Sequence, residues 1–238
     1  MNTTRLLFKG DSDDSPSSDS KLTISKLIFI PAVITLAVTL LRLIGELQHW
    51  SPLFFNRDAG GPGSLIGITW LAPIFGIYFA LKLSKSGAGP SRTGRAILHG
   101  LLGIVVIVLL SILAYILRIG YYMQMVAFCL VFAIAAAIQY PVWPSLFKTL
   151  LAYGYAARIP VVILMFFAMR GNWGTHYDAV TPESPAAMHS LGPEYFWLAI
   201  LPQMIAWVGF TIWSGSLFGS IATAIVQRRN PVGQTAQA

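Results

Sequence analysis

Six long runs of apolar residues, separated by shorter polar connections, dominate the chain. They extend over Leu27–Leu47, Ser64–Leu83, Ala96–Leu117, Tyr121–Tyr140, Leu146–Met169 and Tyr195–Val226. A helix needs about 20 apolar residues to cross roughly 30 Å of bilayer hydrocarbon, and each run reaches that length. The pattern therefore predicts an all-α integral membrane protein, built as a bundle of six transmembrane helices.

The two ends of the chain are polar. Residues 1–22 are rich in Ser and Asp, and such a segment buries too little apolar surface to offset the entropy lost on ordering. We predict a disordered cytoplasmic tail over 1–22, a transmembrane domain over 23–229 and a flexible cytoplasmic C-terminus over 230–238.

Prolines predict irregular points within the runs. Pro202 is expected to divide the last run into a short interfacial piece and a spanning helix, unless that helix is instead tilted. Pro73 and Gly76 predict a kink in the second helix, and Pro160 predicts one in the fifth.

The basic residues lie mostly on one side of the predicted membrane. The residues on that side are Arg5, Lys9, Lys21, Lys26, Lys82, Lys85, Arg92, Arg95, Lys148, Arg228 and Arg229. The opposite side carries Arg57, Arg118 and Arg170. Cytoplasmic loops are enriched in Lys and Arg, so both termini are predicted to lie inside, and the location to be the cytoplasmic membrane of a bacterium.

Composition supports lipid as the solvent of this chain. Charged residues make up 11% of the sequence, against about a quarter in soluble domains. The net charge of +7 comes from residues at the ends of apolar runs, which argues against a nucleic-acid partner. Cys129 is the single cysteine, which excludes an intramolecular disulfide.

Arg158 is the residue whose predicted position is most costly. It lies about midway between Lys148 and Arg170 in the fifth run, near the middle of the bilayer. A central arginine costs about 2.5–3.5 kcal/mol on insertion scales, so it must face protein or water. It is either an intramembrane ligand contact or a structural cation that holds the bundle together.

Arg42, Glu46 and His49 are predicted to share one helical face, because they are spaced by four and three residues. Glu46 is the only carboxylate in the predicted spans, so it can neutralise one of Arg42 and Arg158, and a bound anion could balance the other. The alternative is that Arg42 extends outward and Glu46 lies in interfacial water.

The connection after the fifth run carries groups that can bind metals. Glu46 and His49, with the E-x-x-H spacing, could join His176 and Asp178 around a metal ion, and Glu183 and His189 lie in the same connection. The alternative is that all of these are ordinary solvated residues, since no H-E-x-x-H motif is present.

Small residues recur in the last run. Gly215 and Gly219 are four residues apart, which allows close helix packing either within the bundle or with a partner, in a homodimer or a larger complex.

Three functions remain open. The first is a polar cavity, open to the outside, that binds an anionic small molecule or lipid through Arg158, Arg42, Glu46 and His49, for transport or sensing. The second is an accessory subunit of a membrane complex, and the third a metal-dependent hydrolase at the outer face. Signatures of kinases, serine hydrolases, zincins and P-loop proteins are absent. The sequence therefore identifies no catalytic residue or cofactor, and it favours a function other than catalysis.

Overall fold

The computed structural model describes residues 23–59, 64–181, 184–186 and 190–229. These residues form helices and no strands, which confirms the all-α prediction for that part of the chain. The helices are α1 (Ile24–Leu47), α2 (Leu71–Lys85), α3 (Thr93–Ile116), α4 (Tyr121–Ala137), α5 (Pro144–Gly171) and α6 (Leu191–Arg229). The predictions for residues 1–22 and 230–238 lie outside the described residues.

Four helices, α1, α3, α5 and α6, are long and apolar enough to cross a membrane. Helix α4 has 17 residues and α2 has 15, which at 1.5 Å per residue give about 26 Å and about 22 Å. Large apolar side chains cover the outer surface of the long helices, for example Phe29 on α1 and Leu109 on α3. Such surface is compatible with lipid and not with water, and the chain is a multi-pass membrane protein.

The second predicted span begins later than expected. Residues 64–70 form turns and bends, and α2 starts at Leu71. Pro73 consequently lies in the first helical turn, where its missing N–H removes no intrahelical hydrogen bond. The predicted kink at Pro73 is therefore wrong, because the proline stands where a helix tolerates it.

Pro202 does not divide the last helix. Helix α6 continues through it by widening into π-helical turns at Tyr195–Ile200 and Pro202–Ala206. Proline cannot donate the usual hydrogen bond to the preceding turn, and a local change to π geometry accommodates that loss without ending the helix. Helix α5 likewise continues through Pro160.

Helix α6 lies at the centre of the fold and packs against α2, α3, α4 and α5, while α1 packs mainly on α5. Successive helices run in opposite directions. One end, which we call the long-loop end, carries the connections 48–70 and 172–190. Contacts across the bundle agree with this path, since Glu46 meets His176 at the long-loop end and Thr93 meets Gln227 at the other.

Glycines bring α2 and α6 into close contact. A Cβ atom at Gly76 would overlap the backbone of Gly215, and one at Gly219 would come within 2.7 Å of the Ala80 Cβ. Both α6 glycines are buried. The predicted use of Gly215 and Gly219 for a dimer or partner is therefore wrong, because α2 of the same chain already covers them.

Candidate functional site

A cavity of about 900 Å³ lies at the long-loop end. Helices α1, α4, α5 and α6 and both long connections contribute to its wall. Arg42 and Arg158, which come from different helices, both line it. The cavity therefore contains the two basic residues whose placement within an apolar run required an explanation.

Arg158 lies in the middle of α5 and is 5% exposed. Its Nη1 donates to Oε1 of Gln203 at 3.1 Å, and its guanidinium carbon lies 4.8 Å from the ring centre of Trp207. The face of an aromatic ring attracts a cation but carries no charge that would neutralise it. Within the described part of the chain, the buried Nε of Arg158 has no hydrogen-bond partner and no carboxylate lies within ion-pair distance.

Arg42 is in a different electrostatic situation. Its Nε donates to Oε1 of Glu46 at 2.8 Å, one helical turn away, and the Glu46 side chain is fully buried. Its Nη2 donates to the carbonyl of Asn56 at 3.3 Å. The alternative of an outward-pointing Arg42 and a solvated Glu46 is therefore wrong, since the carboxylate is enclosed and pairs with the arginine.

A folded turn after α5 brings His176 to Glu46. Helix α5 ends at Gly171, and the next residue, Asn172, is left-handed with φ 47°. Asp178 accepts hydrogen bonds from the backbone N–H of Gly174 and of Thr175, both at 2.8 Å. The turn directs the backbone N–H of His176 to Oε2 of Glu46 at 2.9 Å, and its Nδ1 lies 2.8 Å from the same oxygen.

Burial lowers the pKa of His176 below its ordinary value of 6.5, although the hydrogen bond with Glu46 acts in the opposite direction. The lowered pKa favours a neutral ring, which can donate from Nδ1–H to the carboxylate. The contact is a hydrogen bond that fixes the 172–190 connection to α1, and Arg42 supplies the positive charge beside Glu46.

His49 lies apart from this cluster. Helix α1 ends at Leu47, and His49 is left-handed with φ 53° and exposed. Its Nδ1 contacts Nη1 of Arg57 on the 48–70 connection. The prediction that His49 shares a helical face with Arg42 and Glu46 is therefore wrong, because the helix ends before it.

The proposed metal ligands are not assembled in the described residues. Within them, no three His, Cys, Asp or Glu side chains are close enough to hold a metal ion. Asp178 binds its own turn, and His49 lies on the other long connection. Glu183 and His189 lie outside the described residues, so the hydrolase hypothesis gains no support from Glu46 and His176 alone.

Two residues at the cavity were not identified from the sequence. Gln203 and Trp207 contact Arg158 from the π-helical part of α6. Gln203 is a polar residue within an apolar run and directly follows Pro202, and this combination was the available signal. Trp207 has no comparable signal, because aromatic residues are common in membrane helices.

Acidification is expected to destabilise the protein through His176. The folded pKa lies below the unfolded one, so as pH falls through 6.5 the unfolded chain binds a proton that the folded chain does not. The charges facing the ring are Glu46, Arg42 and Asp178. We expect the melting temperature to fall between pH 7.5 and 5.0, and less so in His176→Gln. An equal loss of pH dependence in the control His49→Gln would contradict this assignment.

The comparisons with known proteins identify no relative for this chain. No family model matches it, and neither a curated protein nor a solved structure matches it.

Proposed function

We propose that the cavity at the long-loop end binds an anionic group, and that Arg158 is its main contact. The protein would use this site for transport or for sensing an anionic ligand. The observation that carries the proposal is the guanidinium of Arg158, which lines the cavity while its enclosed Nε has no hydrogen-bond partner among the described residues.

Charge balance supports this assignment. A buried cation is stable only when it is paired or hydrated, because low-dielectric surroundings strongly disfavour an isolated charge. Glu46 balances Arg42, whereas Gln203 and Trp207 give Arg158 only partial compensation. An anion in the cavity would complete the coordination of Arg158, and the planar guanidinium can bind a carboxylate or phosphate through two parallel hydrogen bonds.

Arg42 and Glu46 have different roles in the proposed site. Arg42 lines the cavity and would provide a second positive group, while Glu46 is its counter-ion and holds it in place through the 2.8 Å contact. His176 fixes the turn beside them and also lines the cavity. His49 is not part of the proposed site, because it is exposed on the 48–70 connection.

The anion site predicts that small anions stabilise the parent protein more than Arg158→Gln. Millimolar phosphate or sulfate, compared with chloride at equal ionic strength, should raise the melting temperature in uncharged detergent. An anion at a hundred times its Kd stabilises by about 2.7 kcal/mol. Sulfate also stabilises folded proteins in general, so the difference between parent and variant is the informative quantity.

Two further variants serve as controls for the anion-dependent stabilisation. Arg170→Gln removes a cation from the end of the same helix and should keep the parental response. Arg158→Lys keeps the charge but loses the planar donor pair, so it should keep part of the response. Equal stabilisation of the parent and Arg158→Gln would show that Arg158 does not bind the anions.

We also propose six membrane crossings with both termini in the cytoplasm. The alternating helix directions and the distribution of Lys and Arg support this topology. Helices α2 and α4 are shorter than the bilayer core, and local thinning of the bilayer or the adjoining non-helical residues would accommodate them.

Thiol labelling tests the proposed topology. In a Cys129→Ala background, Ser51→Cys should react with a membrane-impermeant maleimide on intact cells. Ser91→Cys, on the connection after α2, should react only after permeabilisation. Both positions are exposed in the structure. The reverse labelling pattern would place the long-loop end in the cytoplasm.

A further inference from the structure

We propose that the ligand of this cavity is an amphiphile, with an anionic head on Arg158 and a hydrocarbon tail against the apolar side chains of α4 and residues 64–70, and that it enters sideways from the bilayer. This inference rests on the proposed anion site and specifies its substrate class.

The cavity combines basic and polar side chains with a large apolar lining. Helices α1, α5 and α6 and the 172–190 connection supply Arg42, Arg158, Gln203 and His176. Helix α4 and the 64–70 segment add the apolar side chains Leu65, Trp70, Met125 and Phe128. The ring centre of Phe128 lies 6.3 Å from that of Trp207, so this apolar surface begins beside Arg158. One end of a ligand would therefore meet hydrogen-bond donors, and the other would meet hydrocarbon and aromatic surface.

The two polar side chains of α4 at the cavity, Tyr121 and Gln124, each make a hydrogen bond within the protein. Nε2 of Gln124 donates to the carbonyl of Ile119 at 2.9 Å, and the hydroxyl of Tyr121 accepts from Ser184 at 3.1 Å. A large hydrophilic ligand, such as a sugar phosphate, would need partners for several hydroxyl groups along α4. Burying those groups without partners is costly, so this part of the cavity favours an apolar tail.

The size of the cavity also favours a ligand larger than a simple anion. Its volume of about 900 Å³ is near the upper end of the roughly 300–1,000 Å³ found for small-molecule sites. An inorganic phosphate on Arg158 would occupy a small part of it and leave the apolar side chains uncovered. A hydrocarbon tail attached to the anion fills the remaining space with matching chemistry.

The side wall offers a route from the bilayer. Because α2 begins only at Leu71, the non-helical residues 64–70 form the wall beside the cavity. Leu65 and Trp70 line the cavity yet are 53% and 61% exposed, and Phe128 on α4 is 37% exposed. Exposed apolar side chains on α4 and the 64–70 segment would let a hydrocarbon tail enter the cavity at this side.

Native mass spectrometry with defined ligands tests the proposal. The purified full-length protein in dodecyl maltoside is titrated with dioleoyl phosphatidic acid, with dioleoyl phosphatidylcholine and with glycerol 3-phosphate. We expect phosphatidic acid to bind at least tenfold more tightly than the other two. Arg158→Gln should weaken phosphatidic acid binding about tenfold or more, because a hydrogen bond to a charged group is lost. The control Lys148→Gln should bind as the parent does.

A substitution among the apolar side chains distinguishes binding of the tail from binding of the head. Met125→Trp narrows the tail region without touching Arg158, and it should weaken phosphatidic acid while leaving glycerol 3-phosphate unchanged. A second readout does not depend on that variant. Phosphatidic acid with brominated chains should quench Trp207 more than brominated phosphatidylcholine does, taken as the difference between the parent and Trp207→Phe.

The possible failures differ from one another. If glycerol 3-phosphate binds as tightly as phosphatidic acid and depends on Arg158, the amphiphile is overturned and the anion site stands. If phosphatidylcholine binds as tightly as phosphatidic acid and Arg158→Gln changes neither, both the amphiphile and the anion site are overturned. If none of the three ligands binds, both the amphiphile and the anion site are likewise overturned.

Discussion

Replacing Glu46 with alanine is expected to lower the free energy of unfolding by about 3–5 kcal/mol, the usual cost of removing one partner of a buried ion pair. Glu46 is 1% exposed and accepts from Nε of Arg42 and from both the backbone N–H and the ring of His176. Without the carboxylate, these donors would be buried without their acceptor. Thermal unfolding in uncharged detergent measures the effect.

A control variant and a double variant test whether the lost ion pair causes this decrease in the free energy of unfolding. Asp58→Ala removes an exposed carboxylate from the 48–70 connection and should change stability by less than about 0.5 kcal/mol. Replacing both Arg42 and Glu46 with leucine should recover part of the loss, because no unpaired charge remains. If Glu46→Ala matches Asp58→Ala, the buried pair does not stabilise the long-loop end.

Gly76→Ala is expected to destabilise the protein by about 1–3 kcal/mol, the range for overpacking a close contact. The added methyl group would overlap the backbone of Gly215, and backbone atoms cannot rotate away as a side chain can. Helices α2 and α6 would have to separate. Because α6 also carries Gln203 and Trp207, the same substitution should weaken anion binding at Arg158.

Gly94→Ala is the matched control for this substitution. Gly94 lies in α3, and a Cβ atom there has no neighbour within 4 Å among the described residues. Alanine is a better helix former than glycine, so this variant should be neutral or slightly more stable. Equal destabilisation in Gly76→Ala and Gly94→Ala would show that the contact with Gly215 is not responsible.

The helical class and the long helices were predictable because hydrophobic length alone determines them. The runs that became α1, α3, α5 and α6 are long enough to exceed the width of the hydrocarbon core, and no competing pattern interrupts them. The pairing of Arg42 with Glu46 follows from helical geometry, since residues four apart lie on the same face.

The structural features that the local sequence pattern could not predict depend on tertiary contacts. Residues 64–70 are apolar enough to join a span, yet Gly67 lies against Arg42, where a Cβ atom would come within 3.0 Å of Nη1. Helix α1 ends before His49, and apolar periodicity does not locate such an end to within one turn. Proline often ends a helix, but packing inside the bundle keeps α6 continuous through Pro202 by means of π-helical turns.

The cavity itself was predicted only in part. Two basic residues within apolar runs pointed to Arg42 and Arg158, because their cost in lipid requires an interior position. The contacts of Arg158 with Gln203 and Trp207 join residues more than 40 positions apart, and no single-sequence pattern reports such a distance. Asp178 attracted attention as a metal ligand, whereas its oxygens hold the turn that positions His176.

The measurement that tests the central claim most directly is native mass spectrometry of the protein extracted from its own membranes, beside Arg158→Gln and Arg170→Gln. We expect an anionic ligand bound to the parent and to Arg170→Gln, and its loss from Arg158→Gln. The same bound ligand on Arg158→Gln, or a bare mass for all three proteins, would contradict the claim that Arg158 binds an anion.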